Sequence, residues 1–414
     1  MRIGPISIHN RAERRAKRRP LPPEFLPPLT PCNIPVNRCP VPRDQASKRI
    51  LIMRVGAFGD ILMGTPLLAA LREAYPEAHL TWVVEHTERE AIDANPYVDE
   101  ILCWDGSYWK RLVRGLRYVP WLARMLAFRR LLRERDYDVF VSFQPEEWPL
   151  LTLGVGAPVR VGVFDTFKRY YGGSRRPHYK RLYTHAYAEP GLPAHRVDQY
   201  LLTLEALGLP PAPPEPMSMG YTAEDAAAAE GFLEAQRVAR GQRFVVLAPM
   251  TTWPTKCWPP DRFAALADAL AQRHGCRIVL IGSAKERLAL EEIAARMETA
   301  PVVMAGELGF RQAAALIGRA ALLVSGDTGP MHVAAALGTP QIALFGPTSP
   351  AWYGPRTGRA LVMARPVPCG PCDRKVCHNA DDPHLCMRLL SVDDVLVGAD
   401  ALLGAHHEAQ KVTL

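Results

Sequence analysis

The segment from Ala321 to Leu337, ALLVSGDTGPMHVAAAL, limits the possible folds more than any other part of the chain. Ala321-Leu322-Leu323-Val324 is an unbroken apolar run of the kind found in a strand buried on both faces. Val333-Ala334-Ala335-Ala336-Leu337 reads as a helix. Between them Ser325-Gly326-Asp327-Thr328-Gly329-Pro330-Met331-His332 forms a strand-to-helix turn carrying an acid, a hydroxyl, two glycines and an imidazole. The first amides of a helix lack intrahelical partners, and the helix dipole is positive there. Such a turn can seat a phosphate. The same residues also serve as a plain helix cap.

The pattern recurs along the chain. Arg49–Val55, Leu80–Val84, Glu100–Cys103 and Asp138–Phe143 read as strands. A helix is expected over Ile61–Ala74, with Pro66 near its start, and a basic helix or helix pair over Ser107–Arg135. The Pro-rich stretch 206–220 reads as a linker. A second alternation follows, with strands at Phe244–Ala248, Arg277–Ile281, Pro301–Met304, Ala321–Val324 and Gln341–Phe345. Its helices are expected at Asp261–His274, Lys285–Met297 and Gly309–Ile317. Alternating strands and helices build parallel sheets, with working loops at the carboxyl ends of the strands. The expected architecture is α/β: two Rossmann-like domains facing across a cleft, residues 48–205 and 221–390, then a C-terminal helix and tail over 391–414.

The net charge of +8 is local. Residues 1–49 hold eleven Lys/Arg and three Asp/Glu, and the rest of the chain balances. Residues 1–47, basic and rich in proline, read as a disordered arm, either simply solvated or attracted to anionic lipid. No nucleic-acid-binding motif accompanies it, so nucleic acid is not an expected partner. No apolar run approaches the ~20 residues of a membrane span, and Met1 is not followed by a secretory h-region. A cytoplasmic protein is expected. Nine cysteines in that compartment argue against a disulfide framework.

Two more loops carry candidate chemistry. Gly56-Ala57-Phe58-Gly59-Asp60 follows the first strand but lacks the Gly-x-Gly-x-x-Gly pattern, which sets aside a nicotinamide enzyme. Asp60 is placed either to act as a general base or to cap the next helix. Pro249-Met250-Thr251-Thr252-Trp253-Pro254-Thr255-Lys256 follows the first strand of the second half; its hydroxyls and ammonium suit a diphosphate. Asp136-Tyr137-Asp138 has the letters of a metal-binding Asp-x-Asp but precedes its strand, and reads as a charge pair at a helix end.

Four ordered motifs carry a family resemblance: Arg54-Val55-Gly56-Ala57-Phe58-Gly59-Asp60-Ile61-Leu62 with Thr65-Pro66, His195-Arg196-Val197-Asp198-Gln199-Tyr200-Leu201, Gly326–Gly338, and Phe345-Gly346-Pro347-Thr348-Ser349-Pro350. Together, over residues 48 to 400, they resemble glycosyltransferase family 9, the ADP-heptose:lipopolysaccharide heptosyltransferases. The resemblance implies a GT-B fold and an inverting transfer of heptose from ADP-heptose to a lipopolysaccharide-core hydroxyl, with no catalytic cofactor. It makes Asp60 the catalytic base. It assigns Thr251, Thr252, Lys256, Glu286, Asp327, Thr328, Gly329 and His332 to the donor. The alternatives are another nucleotide sugar, a protein acceptor, or a sugar-nucleotide-binding protein without catalysis.

For the acceptor, Gly59 and the basic-aromatic stretch 167–181, with Arg169, Arg175 and Arg176, are the candidates. Residues 110–135 hold nine Lys/Arg and one acid, interleaved with Trp109, Leu112, Leu116, Trp121, Leu122, Met125 and Leu132. The apolar residues are expected to face the core, and the charges to draw the enzyme to the inner face of an anionic membrane. Cys369, Cys372, Cys377 and Cys386 have spacing that suits structural zinc or iron, or packed reduced thiols.

Overall fold

The structure, a computed structural model, describes residues 48–143, 154–164, 181–188, 195–211 and 216–411. The basic arm therefore lies outside the described residues, as do Arg169, Arg175 and Arg176.

The first sheet contains β1 (Arg49–Met53), β2 (His79–Glu85), β3 (Glu100–Trp104), β4 (Val139–Ser142), β5 (Val159–Phe164) and β6 (His185–Ala188). All its pairings are parallel, in the order β3-β2-β1-β4-β5-β6. The second contains β7 (Phe244–Ala248), β8 (Arg277–Gly282), β9 (Val302–Ala305), β10 (Leu322–Gly326), β11 (Gln341–Phe345) and β12 (Ala360–Ala364). It too is all parallel, in the order β12-β11-β10-β7-β8-β9. Both sheets thus have the doubly wound topology, with the strand order reversing beside the first strand of each half. The centre strands β1, β7 and β10 are buried almost throughout, so they read as continuous apolar runs.

Among the described residues, the helices of eight or more residues are α1 (Phe58–Ala74), α2 (Gly106–Arg114), α3 (Tyr118–Glu134), α4 (Arg196–Ala206), α5 (Ala223–Ala235), α6 (Pro260–His274), α7 (Arg287–Ala294), α8 (Phe310–Arg319), α9 (Gly329–Leu337) and α10 (Val392–Lys411). The segment expected as one helix over Lys285–Met297 divides into a 3-10 turn, Ala284–Glu286, and α7. β5, β6, β12, α4 and α5 are additions to the sequence reading.

Helix α1 lies between the lobes and is buried from Ile61 to Leu68. Pro66 lacks the N–H that would bond the Leu62 carbonyl four residues back. The Thr65 hydroxyl donates to that carbonyl instead (2.7 Å). The same hydroxyl accepts the Ser218 N–H from the linker (2.8 Å). Thr65-Pro66 therefore lets a proline sit inside a buried helix without orphaning a carbonyl.

The lobes also touch elsewhere. Phe58 stacks on Phe310 at 3.9 Å. His195 Nε2 reaches the Gly354 carbonyl at 3.0 Å, Arg356 pairs with Asp198, and Arg311 bridges Asp93 (2.9 Å) and Asp225 (3.0 Å). The His195–Leu201 motif thus joins the lobes through His195 and Asp198, beside the cleft.

Candidate functional site

A cleft of about 880 Å³ opens between the lobes at the switch points of both sheets. From the front come Arg54, Gly59, Asp60, Glu88 and Arg196. The rear contributes Thr251, Thr252, Lys256, Glu286, Asp327, Thr328, Gly329, His332 and Thr348. Every described residue that the sequence suggested for donor or base lines this one cavity.

Asp60 stands in the first turn of α1. The N-cap position is Ala57, and no side chain caps the helix, so Asp60 is not a cap. It pairs with Arg54, whose Nη1 also donates to the Phe143 carbonyl (3.3 Å). Burial pushes the Asp60 carboxyl up, but Arg54 and Arg196 outweigh it and hold the carboxyl below its ordinary value. Asp60 is therefore ionised at neutral pH. Gly59 has a steric role: a Cβ there would stand 2.4 Å from the His332 ring, so only glycine lets α1 and α9 approach this closely.

In the rear lobe, Lys256 bonds Asp327 (2.6 Å) and lies over the Trp253 ring (4.4 Å). Thr348 donates to the same Asp327 oxygen (2.7 Å). Asp327, which the resemblance assigns to the donor, thus fixes the ammonium of Lys256. Thr328 occupies the N-cap position of α9 without a side-chain capping bond. Its hydroxyl and the first amides of the helix stand on the cleft. The Thr251 hydroxyl closes its own loop onto the Trp253 carbonyl (2.7 Å). Glu286 closes a capping box with Ser283 (2.7 Å from the backbone N–H) at the rim. Burial pushes the His332 imidazole below its ordinary pKa despite Asp327 and Asp60 nearby, so it stays neutral. Its Nδ1 is buried without a hydrogen-bond partner among the described residues.

Two charged residues that line the cleft escaped the sequence reading. Arg196 was visible only as a motif letter, and Glu88 sits in the charged run His86–Ala91, where nothing in the pattern marks it.

The four clustered cysteines do meet. Cys369, Cys372, Cys377 and Cys386 line one small cavity with His378 and His384, and all are free thiols. Their donor chemistry suits a soft metal, but their placement does not. Among the described residues no group of three or more His, Cys, Asp or Glu is arranged to hold an ion. Instead Asn379 donates to Cys369 Sγ (3.8 Å) and the His384 N–H to Cys377 Sγ (3.4 Å). Burial raises the thiols of Cys372 and Cys386, which favours their neutral form. These contacts are those of packed thiols, one of the two expectations for this cluster.

The α2–α3 expectation is met in part. Trp109, Leu112, Met125, Phe128 and Leu132 are buried against the lobe. Leu116 and Leu122 are not: with Tyr118, Val119 and Leu126 they are 51–80 % exposed.

Comparison with known proteins agrees with this geometry. Residues 125–381 match the family model described as glycosyltransferase family 9 (heptosyltransferase). Lipopolysaccharide heptosyltransferase 1 of Pseudomonas aeruginosa is 30% identical over 259 residues, 62% of this chain and 67% of that protein. Lipopolysaccharide heptosyltransferase 3 of Escherichia coli K12 is 28% identical over 61% of this chain and 69% of its own length. Among solved structures, the family 9 glycosyl transferase of Veillonella parvula superposes with a TM-score of 0.72 at 25% identity, covering 86% of this chain and 97% of that one. The E. coli ADP-heptose lipopolysaccharide heptosyltransferase II has the same fold, with a TM-score of 0.66 at 24% identity, covering 87% and 99% of the two chains. A carboxylate and a fixed cation facing each other across two doubly wound lobes, together with a family match over most of the chain, assign this protein to glycosyltransferase family 9.

Proposed function

We propose that this glycosyltransferase moves heptose from ADP-heptose to a hydroxyl of a lipopolysaccharide-core acceptor, with inversion at the anomeric carbon. The observation that carries the reading is Asp60 and Lys256 on opposite walls of one cleft. Transfer needs two things of opposite sign. The acceptor hydroxyl must lose a proton as it attacks, and the leaving diphosphate must be stabilised as it gains charge. Asp60, ionised and oriented by Arg54, meets the first need. Lys256, held by Asp327, meets the second together with the Thr328 and Gly329 amides at the start of α9. Attack from the wall opposite the leaving group is a single displacement, which inverts the carbon. Thr251, Thr252 and His332 flank the diphosphate, and Glu286 stands where the nucleoside would reach the rim. The domain bounds implied are 48–205 for the acceptor and 221–390 for the donor.

We further propose that α2–α3 rests on the anionic inner face of the cytoplasmic membrane. No helix among the described residues is long and apolar enough to cross one. What supports surface contact is the hairpin's outer face, where Leu116, Val119 and Leu122 stand exposed beside exposed Arg111, Arg114, Arg117, Arg130 and Arg133. It would bring the sugar acceptor's lipid anchor near the front lobe.

Calorimetric titration of the purified chain with ADP-, GDP- and UDP-sugars tests the donor. ADP-heptose is expected to bind most tightly, and binding of a UDP-sugar alone would overturn the reading.

A further inference from the structure

Asp60 is well placed but weakly basic, because Arg54 and Arg196 draw its proton affinity down. A carboxylate held low can accept a proton in the transition state, but it is a poor place for that proton to remain. A second carboxyl lines the same cleft. Glu88 belongs to the 3-10 segment His86–Ala91, which follows β2 and packs beside α1. Its carboxyl accepts the backbone N–H of Phe58, two residues before Asp60. Its Oε2 is buried and meets no hydrogen-bond partner among the described residues.

The charged groups around Glu88 are mostly acidic. Asp60 faces it from α1 and Glu85 from the end of β2. The Glu85 carboxylate is itself turned to the Gly106 N–H (2.9 Å). From α8, Arg311 is spent on Asp93 and Asp225, and its backbone N–H on Glu90. His332 on α9 stays neutral. Burial first, and then the carboxylates of Glu85 and Asp60, push the Glu88 carboxyl up to about 7 despite the Phe58 bond. At neutral pH it exchanges a proton readily where Asp60 does not.

We propose that Glu88 is the terminal proton acceptor of the transfer, a second carboxyl working in series with Asp60. This rests on the glycosyl-transfer reading above. In the step, the acceptor oxygen bonds the anomeric carbon while the bond from that carbon to the diphosphate oxygen breaks, its electron pair leaving with the nucleotide. The hydroxyl proton passes to Asp60 and comes to rest on the Glu88 carboxylate, which returns Asp60 to its ionised pair with Arg54. Asp60 supplies orientation and the first contact, and Glu88 supplies capacity.

The test joins a pH–rate profile to infrared spectroscopy. In the wild-type chain, kcat should rise with pH through a group near neutrality, because Glu88 must be ionised to receive the proton. Glu88→Gln should flatten that limb and lower kcat roughly 10- to 100-fold, with ADP affinity unchanged. Glu88→Asp should keep a limb and recover part of the rate. Infrared difference spectra should show a protonated carboxyl band that disappears as pH rises through neutrality and is missing in Glu88→Gln. The spectra and the ADP titration do not depend on turnover. If the band is present but no donor supports transfer, the glycosyl-transfer reading fails. If the wild type transfers while Glu88→Gln keeps both its rate and its pH limb, the Glu88 proposal is overturned. Loss of ADP binding or of the melting transition in Glu88→Gln makes Glu88→Asp the deciding variant, and an unchanged limb there with no titrating band overturns the proposal equally.

Discussion

After β1 the front lobe turns a carboxylate into the cleft, and after β7 and β10 the rear lobe turns an ammonium, hydroxyls and helix amides into it. Yet both sheets run in the same strand order. Topology decides where a loop emerges, and side chains decide what it does there. In front, the strand-to-helix turn carries its acid in the first helical turn, held by an arginine from the preceding strand end. In the rear, the equivalent turn carries Asp327 before the helix, where the acid fixes a lysine from the neighbouring loop and leaves the helix amides open to an anion. One architecture thus yields a lobe that presents a carboxylate and a lobe that presents an ammonium and helix amides.

The sharpest way to break this contrast is Asp60→Asn. It should keep the shape and the Arg54 contact but remove the proton acceptor, lowering the transfer rate by about 10²–10⁴-fold in steady-state kinetics. A rate within twofold of wild type would put the base elsewhere. Next comes the approach of the lobes. Gly59→Ala places a Cβ against His332, and the resulting displacement should cost up to about 10²-fold in kcat/KM and lower the melting temperature by about a few degrees. A silent variant would show that α1 and α9 need not meet this closely.

A smaller effect concerns how the lobes are joined. Burial, and next to it Arg356, lower the His195 imidazole to about 4, against the Gly354 carbonyl bond and Asp198, which favour the proton. The fold holds it neutral, with Nδ1 accepting the Val197 N–H and Nε2–H donating to Gly354. The unfolded chain binds more protons between the two pKa values. This contribution is therefore full above about 6.5 and is lost as pH falls toward about 4. Denaturant unfolding should show roughly 2–3 kcal/mol of stability lost across that window, and His195→Gln should remove this part of the pH dependence. Smallest is the membrane contact. Leu116→Ser with Val119→Ser should weaken sedimentation with phosphatidylglycerol vesicles roughly tenfold and leave soluble-acceptor turnover intact. Equal binding to phosphatidylcholine vesicles would remove the role of the arginines.

The same contrast governs what could be read in advance. Strands such as Ile50–Met53 and Val245–Leu247 are buried on both faces, so their apolar runs announce them. β12 has an apolar run, Ala360–Ala364, but lies half-exposed on a sheet edge, and the four-residue β6 carries no such run. The loop residues Asp60, Lys256 and Thr328 were legible because loops after parallel strands converge by topology. Contacts between the lobes were not: Phe58 meets Phe310, and His195 meets Gly354, only once both halves are folded. The role of Asp327 was likewise hidden, because its partner Lys256 stands 71 residues away. The cysteine spacing suited either a metal or packed thiols, and their contacts with Asn379 and His384 could not be read from it. Glu88 was lost among the charges of His86–Ala91, and only its place on the cleft distinguishes it.

The account stands on a division of labour between the lobes, and calorimetric titration of ADP into Asp60→Asn and Lys256→Met, side by side, tests it most directly. Asp60→Asn should bind ADP within about twofold of the wild-type affinity, and Lys256→Met at least about tenfold more weakly, as loss of a charge-assisted contact requires. Equal weakening in both variants, or tight binding retained without Lys256, would contradict the account.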